Sequence, residues 1–212
     1  MILSHKNKFI FIKTKKTAGT SMEIALSAIC GGDDIITPIT PIDEATRVNL
    51  GYMGAQNYSG TKYFNHMSSL RVKELVGADI WKNYYKFCFE RNPWDKVISW
   101  YYWEINHSKP NMKFQDFMES KHFASVGGPG GYDLYTDTKG DVIVDDVFLY
   151  ENMDQAISKI EKIIGVSLPA LPKAKSQFRG NREPYTGIYS EYQKRLVKKA
   201  FKREIALFKY HF

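Results

Sequence analysis

The run Phe9-Ile10-Phe11-Ile12-Lys13-Thr14-Lys15-Lys16-Thr17-Ala18-Gly19-Thr20-Ser21 leads an apolar strand into small and hydroxylated residues and then into a helix start. A loop in that position aims backbone N–H groups and the positive end of a helix dipole at one point, a natural seat for a phosphate. In this reading the seat is built from Lys16, Thr17, Ala18, Gly19, Thr20 and Ser21. Gly19 lets an anion approach closely, Thr17, Thr20 and Ser21 offer hydroxyl donors, and Lys16 supplies a point charge at the mouth. A Walker A loop needs G-x-x-x-x-G-K-[ST], with lysine after the last glycine. Here lysine precedes the glycine, which disfavours an ordinary ATP site. The competing reading is a well-capped helix beside a lysine-rich turn, because Thr20-Ser21-Met22-Glu23 has the S/T-x-x-E form of a capping box.

A second segment, Phe87-Cys88-Phe89-Glu90-Arg91-Asn92-Pro93-Trp94-Asp95-Lys96-Val97-Ile98-Ser99, repeats the strand-to-helix design. Asn92-Pro93 opens the helix as cap and first-turn proline. Arg91, Asp95 and Ser99 fall along one side of it, apart from the apolar stripe of Trp94, Val97, Ile98 and Tyr101. An Arg and a Ser arranged this way can grip a second phosphate; the alternative is a strand-end Arg that merely pairs with Asp95. His66, just before another helix, is the candidate base, because the unperturbed pKa of a histidine suits taking a proton near neutral pH.

The elements that position these residues read as one α/β domain over 1–212. Strands are expected at 8–12 and 85–89, and helices from 20, at 68–76, from 93, at 113–119, at 152–164 and from about 189 to 208. Residues 33–65 read as loop, and 133–148 as a hairpin turning near Thr138-Lys139-Gly140.

Charge narrows the partner classes. The net charge is +7, but residues 173–212 hold eleven basic and three acidic residues, a balance of +8, leaving −1 for residues 1–172. That asymmetry suggests an anionic partner. No stretch approaches the roughly 18 apolar residues of a membrane span, and the N-terminal run lacks a signal-peptide pattern. Cys30 and Cys88 show neither metal spacing nor a disulfide framework, so a reducing cytosol is the expected setting.

Together the two segments resemble the sulfotransferase family, in the branch with bacterial and Golgi carbohydrate sulfotransferases. Lys15–Ser21 is similar to its P-K-T-[AG]-[ST]-[ST]-S loop, and Phe89–Ser99 to its F-x-R-N-P-x-[DE]-[RK]-x-x-S segment. Weaker similarity runs through Asn65-His66-Met67-Ser68 and Asp146–Asn152. The resemblance implies a three-layer P-loop-like fold around a parallel sheet and a donor, 3′-phosphoadenosine 5′-phosphosulfate (PAPS), used without a metal. It implies in-line sulfuryl transfer to a hydroxyl or amine, with a carbohydrate or glycoconjugate rather than nucleic acid as the expected acceptor. Lys16 would stabilise the leaving 5′-phosphate, Arg91 and Ser99 would hold the 3′-phosphate, and His66 would be the base. Lys175 and Arg179 lie in a loop where relatives contact the 3′-phosphate or an anionic acceptor. Lys15 stands where the family has proline, Glu90 where an apolar residue is common, and Leu149 where it often has Arg. A kinase on a related fold and a non-enzymatic polyanion binder are the competing functions.

Overall fold

Strict alternation builds the sheet. Phe9, Phe11, Phe87 and Phe89 pack to one side, and Ile10, Ile12 and Cys88 to the other, as the period of two requires. The structure, a computed structural model, describes residues 1–60, 62–121, 123, 131–172 and 184–212. Five strands, β1 (Ile2–Ser4), β2 (Phe9–Phe11), β3 (Ile35–Ile36), β4 (Tyr85–Glu90) and β5 (Asp146–Leu149), lie in the order β3-β1-β2-β4-β5. β2, β4 and β5 are parallel, with Phe11 opposite Phe87 and Cys88 opposite Val147. β1 is antiparallel to both β2 and β3, so the parallel sheet carries an antiparallel edge.

Helices cover both faces. The phenylalanine face packs on α1 (Gly19–Ser27) through Met22 and Leu26, and on Ala156 and Ile160 of a later helix, Met153–Ile164. α2 (Pro41–Asn49) lies against α1. The opposite face packs on Val72 and Trp81 of α3 (Ser69–Asn83) and on Leu134, Tyr135 and Val144. A separate apolar cluster joins α4 (Pro93–His107) and α5 (Phe114–Met118) to the C-terminal helices through Val97, Phe117, Val197 and Phe201. Among the described residues the remaining α-helices, in chain order, are α6 (Met153–Ile164), α7 (Glu191–Ala200) and α8 (Lys202–Phe208).

Several expectations need correction. The 33–65 stretch is not all loop: it holds β3 and α2. Pro41 is the first residue of α2 rather than a breaker, and Thr40 caps that helix through its side chain. α2 lacks an inward apolar stripe because Ile42 and Val48 face solvent while Arg47 and Asp43 are buried. The expected hairpin over 133–148 reduces to one antiparallel bridge, Thr136 with Val142. Its second half, β5, pairs instead with β4, since alternation alone does not choose a strand's neighbour. α3 runs on to Asn83 past non-helical Gly77, and the last helix breaks at Phe201, whose ring is fully buried.

Candidate functional site

Adjacent parallel strands β2 and β4 end side by side, and the two segments singled out above leave from those ends. Ile12 N donates to the Phe87 carbonyl at 2.9 Å, and the Thr14 hydroxyl donates to the Phe89 carbonyl. With its one proton committed there, Thr14 accepts from the Thr17 hydroxyl at 2.8 Å. Thr17 is therefore turned inward and braces the loop, rather than offering its hydroxyl at the mouth as the sequence suggested.

Lys16 and Ala18 both hold left-handed backbone, with φ of 64° and 60°. Non-glycine residues in that region are uncommon, and each costs about 1–3 kcal/mol. The expected capping box is absent: Ala18 caps α1 with no side-chain hydrogen bond, and the Glu23 carboxylate points elsewhere. An α-helix leaves its first N–H groups without intrahelical partners, so an uncapped start is what an anion requires. Thr20 and Ser21, both buried, form the first turn.

Gly19 is needed for a reason the sequence did not reveal. A Cβ there would sit 2.7 Å from Lys13 Cγ and 3.3 Å from the Thr14 carbonyl oxygen. Gly19→Ala is therefore expected to cost about 1–3 kcal/mol, as overpacking does. The check is a urea titration, in which an unchanged midpoint would show that the Lys13 side chain gives way.

Arg91 closes the gap between the segments. Its Nη1 donates to the Lys16 carbonyl at 3.2 Å, while Nε and Nη2 donate to Asp95 Oδ2 at 2.9 and 2.6 Å. Its guanidinium carbon lies 4.2 Å from the Tyr150 ring centroid. The Asp95 pair is thus real, yet three bonds leave two of the five guanidinium N–H groups for another acceptor. Ser99 is half-buried one turn beyond Asp95 on α4. The Lys16 ammonium lies 5.8 Å from the Trp103 ring centroid, and that of Lys15 5.3 Å from Trp100. Burial first, and then the charge of Lys96, lower the proton affinity of Lys15.

His66 stands on the other side of the loop, at φ 59°, and its Nδ1 donates to the Lys13 carbonyl at 2.9 Å. Burial, followed by the Lys13 ammonium, lowers its pKa to about 4. Lys13, which the sequence did not single out, and Glu23, which it read as a capping residue, form a buried ion pair at 2.5 Å, and Glu23 also accepts from the Met1 ammonium. Burial opposes ionisation of Glu23, but those two cations outweigh it and hold its pKa at about 2. The missed signal was a Lys-to-Glu spacing of ten across a strand-to-helix turn, masked by the capping-box pattern.

The structure brings Lys16, Thr17, Ala18, Gly19, Thr20, Ser21 and Arg91 together, with His66 joined to the loop through Lys13. Lys175 and Arg179 lie outside the described residues. Among the described residues no helix is long and apolar enough to cross a membrane.

A loop and an arginine at the ends of neighbouring parallel strands, in a sheet layered by helices, define a P-loop-like α/β protein. Residues 1–211 match the model of the sulfotransferase family, and the chain belongs to that family. An uncharacterized protein of Archaeoglobus fulgidus is 35% identical over 102 residues, 47% of this chain and 83% of that protein. The crystal structure of mouse sulfotransferase SULT7A1 complexed with PAP shares the fold, with a TM-score of 0.53 at 15% identity. That match covers 96% of this chain and 86% of the mouse chain.

Proposed function

We propose that this sulfotransferase takes its sulfuryl group from PAPS and passes it to a hydroxyl of a carbohydrate acceptor by in-line displacement, without a metal. The observation that carries the reading is the bond from Arg91 to the Lys16 carbonyl, which sets a guanidinium beside the uncapped start of α1. A guanidinium and an uncapped helix start leaving adjacent strand ends suit two phosphates of one nucleotide. The PAP bound to the mouse neighbour adds support.

In this proposal the loop residues Thr17 to Ser21 hold the 5′-phosphate through backbone N–H groups and the α1 dipole. Arg91 and Ser99 hold the 3′-phosphate, and Lys175 and Arg179 add contacts to it or to the acceptor. The acceptor O–H gives its proton to His66 Nε2 as its oxygen bonds to sulfur. The bond from sulfur to the 5′-phosphate oxygen breaks, and the electron pair leaves with that oxygen. Lys16 offsets the charge growing there.

The test is thermal unfolding with 3′-phosphoadenosine 5′-phosphate in EDTA. A ligand at 100 times its Kd should add about 2.7 kcal/mol of stability, read as a rise in Tm. No rise at millimolar ligand overturns the reading, and a rise only with magnesium and ATP would favour a kinase instead.

A further inference from the structure

A carbonyl oxygen only accepts, so the contact from His66 to the Lys13 carbonyl places the ring proton on Nδ1 and leaves the lone pair of the neutral ring on Nε2. The direction in which that lone pair points depends on how firmly the carbonyl is held. Lys13 follows the end of β2, and its side chain does not leave the protein. Its ammonium meets Glu23 Oε2 at 2.5 Å, and Glu23 is fully buried in the second turn of α1. Gly19 lies against the same side chain, leaving no room for even one more carbon. The pair therefore forms a strut from the strand end to the helix, across the base of the loop that carries Lys16.

Stability alone is a poor reason for such a strut. Desolvating two ions costs several kcal/mol each, and buried pairs are often matched by well-packed apolar residues. Their best-attested use is to fix a register.

We propose that the Lys13–Glu23 pair is the positioning device for His66: it fixes the Lys13 carbonyl, and through it the Nδ1–H tautomer and the ring direction, so that only Nε2 faces the acceptor. This rests on the reading of His66 as the base. The charged groups acting on His66 are the Lys13 ammonium, Glu23 and the Met1 ammonium. Lys13 lowers its proton affinity and Glu23 raises it, so removing each charge should move the titration in opposite directions. Removing either end of the strut should nevertheless lower turnover.

The experiment uses the full chain labelled with ¹⁵N-histidine, as wild type, Lys13→Met, Glu23→Gln and the double variant. Glu23→Gln strands the buried amines of both Lys13 and Met1 and risks misfolding, whereas Lys13→Met leaves Glu23 its Met1 partner. The double variant strands only the Met1 amine, which keeps Thr37 Oγ1 as an acceptor and whose pKa burial lowers to about 6. The wild-type ring should show the Nδ1–H tautomer at pH 7.5, and each folded variant a mixture with Nε2–H. Turnover should fall about tenfold or more, as wrong-tautomer defects do, with the donor KM within twofold of wild type. An unchanged tautomer in the double variant overturns the proposal, as does unchanged kcat. The ring-nitrogen spectrum needs no turnover, so the positioning claim fails or stands separately from sulfuryl transfer.

Discussion

Replacing Lys16 with alanine is expected to lower kcat at saturating PAPS by about 100-fold or more, the usual loss when one preorganised charge stabiliser is removed. The side chain is half-exposed, its ammonium rests near the Trp103 ring, and it belongs to none of the three apolar clusters. Its backbone, by contrast, sets the loop through the left-handed φ and through the carbonyl that Arg91 holds. Alanine keeps both features, so the loss should appear in kcat and leave the stabilisation by 3′-phosphoadenosine 5′-phosphate largely in place. The measurement is initial-rate kinetics with labelled PAPS alongside unfolding with the product nucleotide. Retention of kcat within threefold would remove Lys16 from the chemistry.

His66→Gln should lower kcat by about 10²–10⁴-fold, the range for a lost general base. Glutamine keeps a polar side chain near the Lys13 carbonyl but offers no basic nitrogen. The pH dependence gives a sharper check. Burial and the Lys13 ammonium put the His66 pKa at about 4, with Glu23 opposing them, so the ring is neutral from pH 5 upward. Because kcat/KM reports the free enzyme, its acid limb should lie near pH 4, and the profile should stay flat between pH 6 and 8. An acid limb at the ordinary histidine value would assign the base elsewhere. The same shift acts on stability. Between about 4 and the ordinary 6.5 the unfolded chain binds the extra proton, so stability rises with pH there and is lost as pH falls through that window. Glu23, held at about 2, adds stability that is present above its ordinary value and lost on further acidification.

The two strand-to-helix segments were legible because each is local: a strand, a few small or charged residues, and a helix start within about a dozen positions. Their meeting was not, since the bond from Arg91 to Lys16 joins residues 75 apart and exists only because β2 and β4 are parallel neighbours. α2 escaped because its buried residues are Asp43 and Arg47 rather than apolar, which hides its period. Glu23 was misread for a related reason. The pattern Thr20 to Glu23 fits a cap, but the long-range attraction of Lys13 and the Met1 ammonium takes the carboxylate inward, and Ala18 turns left-handed in its place. Local propensity was right about where the helix begins and wrong about what holds its start.

Lys15 and Glu90, where the sequence departs from the pattern it resembles, both interact with the Lys96 ammonium. Glu90 accepts from the Lys96 ammonium at 2.6 Å, the Tyr135 hydroxyl at 3.1 Å and the Arg91 N–H at 2.9 Å, and Lys96 in turn acts on Lys15. An apolar residue at Glu90 alone would leave Lys96 charged in a dry interior, a loss of about 3–5 kcal/mol. Glu90 therefore ties β4, α4 and the Tyr135 segment at one buried carboxylate, and a change there is felt by all three together.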